Sequence, residues 1–159
     1  MMHLFARAVA CLFAYATLML TAAPMANAAL AQVDLREFKR LSHGYAVQAT
    51  VGVTCDPVGP DTRTYLSLTL FQGTYPHKNH IEGFGGVVDP TQPPIVCDGT
   101  AHEYSFTVRP NAAYADRKFR AGPATAIYVV TQCTEVAPEN FQCTPTADET
   151  RERVRITPR

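Results

Sequence analysis

Two histidines and a glutamate form the strongest candidate for a metal site in this chain. His77, His80 and Glu82 stand in the pattern His-x-x-His-x-Glu, and imidazole and carboxylate groups are common ligands of divalent metals. In an extended chain, side chains three residues apart point to opposite faces, and Pro76 opposes the helix that would bring them together. A solvated loop is the favoured interpretation, and we predict neither a metal nor a cofactor.

Catalytic residues are not predicted either. His102 follows an Asp-Gly turn, but no nucleophile is spaced around it as a general base would require. The chain after residue 28 has three serines, none of them in a Gly-x-Ser-x-Gly elbow: Ser42, Ser67 and Ser105. Most of the 14 acidic residues fall in predicted turns or at strand ends, which does not favour two carboxylates facing each other across a cleft. The sequence therefore predicts a protein that is not an enzyme.

One loop between two predicted strands combines aromatic and basic side chains. Its candidate contact residues are Tyr114, Arg117, Lys118, Phe119 and Arg120. An exposed loop of this composition could bind a partner, or present itself to a protease as an inhibitor. The favoured alternative makes Phe119 an inward anchor that ties the loop to the domain, with the basic groups in water. This candidate binding loop is the only binding site that we predict from the sequence.

The elements that hold these residues are preceded by an apolar leader. The run 8–20 is apolar, Arg7 precedes it, and Ala26-Asn27-Ala28 provides the small-x-small pattern of a cleavage site. We predict a secretory signal peptide over 1–28, cleaved after Ala28, with cleavage after Ala31 as the alternative. An uncleaved membrane anchor is disfavoured because Pro24 and a polar region follow the apolar run. The remaining residues, 29–159, then form a single domain that is secreted or held in the cell envelope.

Charge gives this domain no obvious partner. Of the 14 basic residues only Arg7 lies in the leader, so the basic residues of the domain nearly balance its 14 acidic ones. Such a balance gives no reason to expect nucleic acid or an anionic membrane as a partner, and we predict no stable membrane insertion after cleavage. The partner that we expect is a protein or a small ligand.

Four cysteines in the domain predict disulfides. An even number of cysteines in an exported chain usually means disulfide bonds, and three pairings are open. We favour Cys55–Cys97, which would tie two strand ends, and Cys133–Cys143, which would close a short loop with a proline. Zinc is disfavoured because no two of the four stand in a Cys-x₂₋₄-Cys knuckle.

Alternating apolar and polar residues predict about seven short strands. The strongest pattern runs over 45–55, and others cover 65–72, 102–109, 125–133 and the last residues, where Val154 and Ile156 face inward. Residues 33–38 predict a weaker edge strand, with Val33 and Leu35 on one face and Phe38 on the other. With most of the chain's 12 prolines between predicted strands, the pattern favours an all-β, antiparallel, immunoglobulin-like sandwich, and a closed barrel is the alternative.

Several short motifs carry a family resemblance. They are Val53-x-Cys55, Leu68-x-Leu70-x-Gln72-Gly73, Cys97-Asp98-Gly99-Thr100-x-His102 and Phe119-x-x-Gly122-Pro123-Ala124. From about Gly44 to Cys133 the chain resembles a family of small exported actinobacterial proteins of unknown function. The resemblance implies a secreted β domain in which Cys97 pairs with Cys55, and it implies no catalytic residue.

Taken together, these patterns predict a secreted, non-enzymatic β domain that works by binding or by interaction at the envelope or outside the cell. Two alternatives stay open. A protease inhibitor would need the loop at 110–123 to be exposed and rigid. A carrier of a small apolar ligand would need an open apolar cleft.

Overall fold

A computed structural model describes residues 31–74, 80–87, 93–138, 140–146 and 149–159. The predicted leader over 1–28 and the candidate ligand His77 lie outside these residues. Within the described ranges no helix is long and apolar enough to cross a membrane.

The described residues form eight strands and two short 3₁₀ turns. The strands are β1 (Ala31–Leu41), β2 (Ala46–Cys55), β3 (Thr62–Gln72), β4 (Ile81–Val87), β5 (Ala101–Pro110), β6 (Gly122–Ala137), β7 (Asn140–Pro145) and β8 (Thr150–Thr157). The 3₁₀ turns are Ser42–Gly44 and Ala112–Tyr114. The prediction of an all-β domain is confirmed.

Side-chain alternation explains which face of each strand is buried. In β2 the residues of one parity, from Val47 to Cys55, are all at most 1% exposed. In β3 the same holds for Leu66, Leu68 and Leu70, each 0% exposed. Because alternate side chains point to opposite faces, each strand presents one apolar row to a common interior. The alternating strands predicted over 45–55 and 65–72 are confirmed.

Seven of the strands close into a ring. Its order is β1, β2, β5, β4, β3, β6, β8 and back to β1, and β7 is added outside the ring on β6. The β3–β6 pair runs antiparallel from Thr62↔Thr134 to Phe71↔Thr125. The last contact is parallel, with Phe38↔Ile156 and Lys39↔Thr157 joining β1 to β8. The domain is therefore a closed seven-stranded barrel, and one of its strand pairs is parallel.

The closed barrel replaces the predicted immunoglobulin-like antiparallel sandwich and agrees with the alternative. The physical reason lies in β6, which is 16 residues long. One of its edges pairs with β3, while its other edge pairs with β8 in its first half and with β7 in its second half. Closure of a sheet removes the unpaired edges that a sandwich must protect in other ways.

Strand β1 differs from its prediction in two respects. It lies between β2 and β8, so it is not an edge strand. Its pairing with β2 also shifts between Leu35 and Glu37, and such a bulge inserts one extra residue and reverses the alternation that follows. Phe38, predicted to face away from Val33 and Leu35, is consequently 3% exposed and part of the core with them.

Both favoured disulfides are present. Cys55–Cys97 joins the end of β2 to the segment before β5, with a Cα–Cα distance of 4.8 Å. Cys133 and Cys143 are bonded to each other and lie directly opposite in the β6–β7 hairpin. The first disulfide therefore links distant parts of the barrel, and the second staples a hairpin that extends beyond the ring.

Candidate functional site

The candidate binding loop connects β5 to β6 across one end of the barrel. It starts at Asn111, whose side chain accepts a hydrogen bond from the N–H of Ala113 (3.0 Å) and so caps the 3₁₀ turn. It ends at Gly122, where β6 begins. Phe119 is only 1% exposed, which agrees with the favoured interpretation of this residue as an inward anchor.

Phe119 is a plug that fits against two glycines. Its N–H donates to the carbonyl oxygen of Gly44 (2.9 Å). Gly44 has φ +101°, and a Cβ there would lie 2.3 Å from the carbonyl oxygen of Phe119. A Cβ on Gly83 would lie 2.7 Å from the Phe119 ring. Only glycine permits both close approaches, so Phe119 closes the end of the barrel with its ring against β4 and its backbone against the turn after β1.

Gln72 holds the far side of the loop. Its side-chain amide N–H donates to the carbonyl oxygen of Arg120 (2.8 Å), and the Arg120 N–H donates to the side-chain oxygen of Gln72 (2.7 Å). The same amide nitrogen lies 3.3 Å from the carbonyl oxygen of Pro123. The Gln72 side chain thus pairs with the backbone of Arg120 through two hydrogen bonds, as a neighbouring strand would.

Arg117 attaches the middle of the loop to His80, the residue before β4. It donates to the carbonyl oxygen of His80, and its guanidinium lies 4.9 Å from the centre of the Tyr114 ring. The His80 ring meets Tyr114 edge-on, with ring centroids 5.4 Å apart, and lies 6.0 Å from Phe71. Arg117 and Tyr114 therefore stabilise the loop, and their side chains are committed to the domain itself.

A cleft of about 380 Å³ lies beside the loop, and we call it the basic cleft. Its lining consists of Arg40, His43, Ile81, Asp116, Arg117, Lys118, Phe119 and Arg120. Four of these side chains are cationic and one is a carboxylate. The charge balance of the whole domain conceals this local excess of positive charge.

The turn that supplies His43 to the basic cleft has an unusual backbone. Ser42 and His43 have φ of +44° and +56°, and Gly44 follows with a positive φ as well. Non-glycine residues rarely occupy this left-handed region, and they do so mainly where surrounding structure holds them. The contact between Gly44 and Phe119 provides that restraint.

Sequence reasoning did not single out Arg40 and His43 as candidate site residues. Arg40 belongs to β1 and lies opposite Val47 of β2. The signal that could have found it is the alternation of Phe38 and Arg40 on one face, but this is visible only once the bulge in β1 is placed. Of the predicted loop residues, Lys118 and Arg120 are exposed beside the cleft.

His80 and Glu82, the two described members of the candidate metal site, lie in different surroundings. His80 is 8% exposed and packed by the rings of Phe71 and Tyr114. Glu82 lies in β4 opposite Phe71. Within the described ranges, no group of three or more His, Cys, Asp or Glu side chains is arranged to hold a metal ion.

His102 belongs to a hydrogen-bonded turn. Its Nε2 lies 3.0 Å from both carboxylate oxygens of Asp98 and 3.1 Å from the Thr100 hydroxyl. The N–H and the hydroxyl of Thr100 both donate to Asp98. Gly99 has φ +84°, as the Asp-Gly turn requires. In the Cys-Asp-Gly-Thr-x-His motif, these hydrogen bonds hold together the turn that follows the Cys55–Cys97 bond.

The Asp98 turn should make stability depend on pH in the acid range. The hydrogen bonds from the Thr100 hydroxyl and N–H, and then that from His102, lower the pKa of Asp98 from 3.8 to about 2. A lowered folded-state pKa means that the carboxylate stabilises the fold above the unfolded value and that this contribution is lost as the pH falls through the folded value. Asp98→Asn should therefore flatten the pH dependence of the urea midpoint between pH 3.8 and about 2.

A second variant checks the cause of this effect. Thr100→Val removes the hydroxyl, which is the largest cause of the shift, and keeps the backbone donor. It should raise the pKa of Asp98 toward its ordinary value, as followed by NMR of the side-chain carboxyl. The same titration curve in both proteins would show that the turn does not set this pKa.

Comparison with solved structures finds a distant likeness. No protein-family model and no curated protein matches the chain. The solved structure of Spo0M, a sporulation control protein from Bacillus subtilis, is 16% identical in sequence and aligns with 82% of this chain and 49% of its own, with a TM-score of 0.29. The chain therefore spans about half the length of Spo0M. A likeness of this strength carries no argument about function.

Proposed function

We propose that this protein is exported and works outside the cytoplasm as a non-enzymatic binding domain, with the loop over 111–121 as its contact surface. The observation that carries the proposal is the fixation of the loop, since Phe119, Gln72 and Arg117 each tie it to the barrel. Lys118 and Arg120 remain exposed on this rigid support. The two disulfides support an oxidising compartment. Membership of the small exported family that the motifs resemble is part of the same proposal.

Rigidity favours binding for a thermodynamic reason. A mobile loop must lose conformational entropy when it binds, and each immobilised side chain costs roughly 0.5–1.5 kcal/mol. A loop that is already held by a buried ring and by side-chain hydrogen bonds avoids part of this cost. Loops on rigid scaffolds are also where binding residues concentrate.

A pair of exposed alanines gives a matched test. A photo-crosslinking residue at Ala121 lies in the loop, and the same residue at Ala101 lies at the other end of β5. Irradiation in the envelope and medium of the producing culture should give an adduct from position 121 and not from position 101. The adduct should weaken when Lys118→Gln and Arg120→Gln are combined. Equal labelling from both positions, or none from position 121, would contradict the proposal.

A protease inhibitor is the second candidate, favoured by the rigidity of the same loop. Its two exposed basic residues, Lys118 and Arg120, are less suited to this role than their sequence suggests. The backbone N–H and carbonyl of Arg120 are occupied by Gln72, and the Lys118 amine lies 4.4 Å from the centre of the Tyr45 ring. A protease needs the backbone around the cleaved bond to be free for its own hydrogen bonds.

Trypsin distinguishes the two candidates. The native protein should resist cleavage after Lys118 and Arg120 without inhibiting the enzyme. Gln72→Ala should speed cleavage after Arg120 at least tenfold, because cleavage of a native protein follows the population of the opened segment. Gln48→Ala, in β2, is the control and should leave the rate unchanged. Inhibition of trypsin by the intact protein would favour the inhibitor instead.

A carrier of a small apolar ligand is supported by a groove of about 760 Å³ between β4 and β5. Its aromatic lining includes Phe84, Tyr104 and Phe106. Its size is that of many ligand pockets. Tyr104 and Phe106 lie on the inward face of β5, opposite Val51 and Ala49, and are partly buried against the core. Binding of an apolar fluorescent probe that is unaffected by Phe106→Ala would exclude this groove as the carrier site.

A further inference from the structure

Arg40 lies on the inward face of the barrel at its end. The bulge in β1 turns Phe38 into the core, and side chains two residues apart in a strand share a face. Arg40 is accordingly directed inward, opposite the fully buried Val47. Phe119 plugs the barrel at this level, so the half-buried Arg40 side chain is left in the basic cleft above the plug.

No carboxylate of the described residues forms an ion pair with this guanidinium. The ion pairs among the described residues involve Arg36, His102 and Arg151 as the cationic members. Asp116 lines the same cleft, yet it forms no ion pair with any of the four cationic side chains in these ranges. A partly buried charge without a counter-charge is unfavourable, and several like charges around one cleft attract anions.

The four cations of the basic cleft are not equally available. Arg117 is bound to the carbonyl of His80, whereas Lys118, whose amine lies over the Tyr45 ring, is an exposed side chain. Arg40 comes from β1, and Arg120 comes from the loop, so two separate elements bring a cation to the cleft. An anion bound in the cleft would contact cations from β1 and from the loop. The Gly44–Phe119 contact holds these two elements together.

We propose that the basic cleft binds a phosphate or sulfate group of a small molecule or polymer outside the cell, with Arg40 as its main ligand and Lys118 and Arg120 completing the site. A tetrahedral oxyanion with more than one negative charge can bind cations that come from two elements. Guanidinium groups bind such oxygens in a bidentate manner. The volume of about 380 Å³ is that of a small-ligand site. This inference rests on the proposed function, since the ligand would be bound beside the contact loop.

The test is an NMR titration of the exported, oxidised protein with inorganic phosphate, sulfate and acetate in separate arms, at ionic strength held constant with chloride. Phosphate or sulfate should cause saturable shifts of the amides of His43, Gly44 and residues 118–120, and acetate should bind at least tenfold more weakly. Saturation by phosphate alone would indicate a phosphorylated ligand, and saturation by sulfate alone a sulfated one. Shifts that rise linearly without saturation in all arms would overturn the proposal.

A neighbouring lysine provides the matched control. Arg40→Gln should weaken phosphate binding at least tenfold, whereas Lys39→Gln, which removes the same charge from the opposite face of β1, should change it less than twofold. Equal effects of the two changes would mean that only net charge matters. Should Arg40→Gln fail to fold, Lys118→Gln and Arg120→Gln alter exposed side chains, and each should weaken binding at least threefold.

The two proposals can fail separately. Loss of phosphate binding with continued crosslinking from position 121 would overturn the oxyanion site alone. Saturable phosphate binding without any adduct would leave the site and overturn the loop as a contact surface for a macromolecule.

Discussion

Phe119→Ala is expected to lower the free energy of unfolding by about 3–5 kcal/mol, the range for removal of a buried aromatic side chain. Phe119 is 1% exposed and belongs to the same core as the inward rows of β2 and β3. Its ring packs against Gly83, and its backbone N–H is bonded to Gly44. The surrounding walls are strands of a closed ring, which cannot collapse readily into the space left behind. Urea denaturation followed by circular dichroism measures the loss.

Phe84→Ala is the control for this prediction. Phe84 is a phenylalanine of the neighbouring strand β4, but its side chain is 49% exposed. Removing it should change the free energy of unfolding by no more than about 0.5 kcal/mol, as for most surface positions. Similar losses for the two variants would mean that Phe119 does not close the barrel.

Removal of the Cys55–Cys97 bond should destabilise the protein by about 4 kcal/mol. The two cysteines are separated by 42 residues, and a crosslink that closes a longer loop removes more entropy from the unfolded chain. Cys55 is also 1% exposed, so its replacement leaves unfilled space in the core. The double variant Cys55→Ala, Cys97→Ala should therefore unfold at much lower urea concentration than the oxidised parent protein.

The second disulfide gives the comparison. Cys133 and Cys143 are separated by 10 residues, and the chain-entropy relation gives about 3 kcal/mol as an upper value for such a short loop. The β7 strand that this bond fastens is exposed along its length and lies outside the ring. The variant Cys133→Ala, Cys143→Ala should be the more stable of the two double variants. The opposite order would show that the hairpin, rather than the barrel, limits stability.

The strands were predictable where local alternation decides burial. The rows in β2 and β3, and Ile156 in β8, could be read from the sequence because every second residue there is apolar. Closure of the barrel could not be read in this way. It depends on which edges meet, and the parallel contact of β1 with β8 joins residues more than a hundred positions apart. Alternation describes the faces of a strand and contains no information about its edges.

The candidate site was predictable in part for a related reason. The loop was found because Tyr114, Phe119 and three basic residues lie close together in sequence. Arg40 was missed because a single extra residue in β1 reverses the faces that follow. Such a bulge has no local signal in the run 33–38, where both possible alternations leave some apolar residues outside.

The parallel contact between β1 and β8 also affects the order in which the strands can pair. A ribosome makes Phe38 before its partner Ile156, so this pair cannot form until more than a hundred further residues have been synthesised. Until then one edge of β1 stays open to other chains, as unpaired edges do.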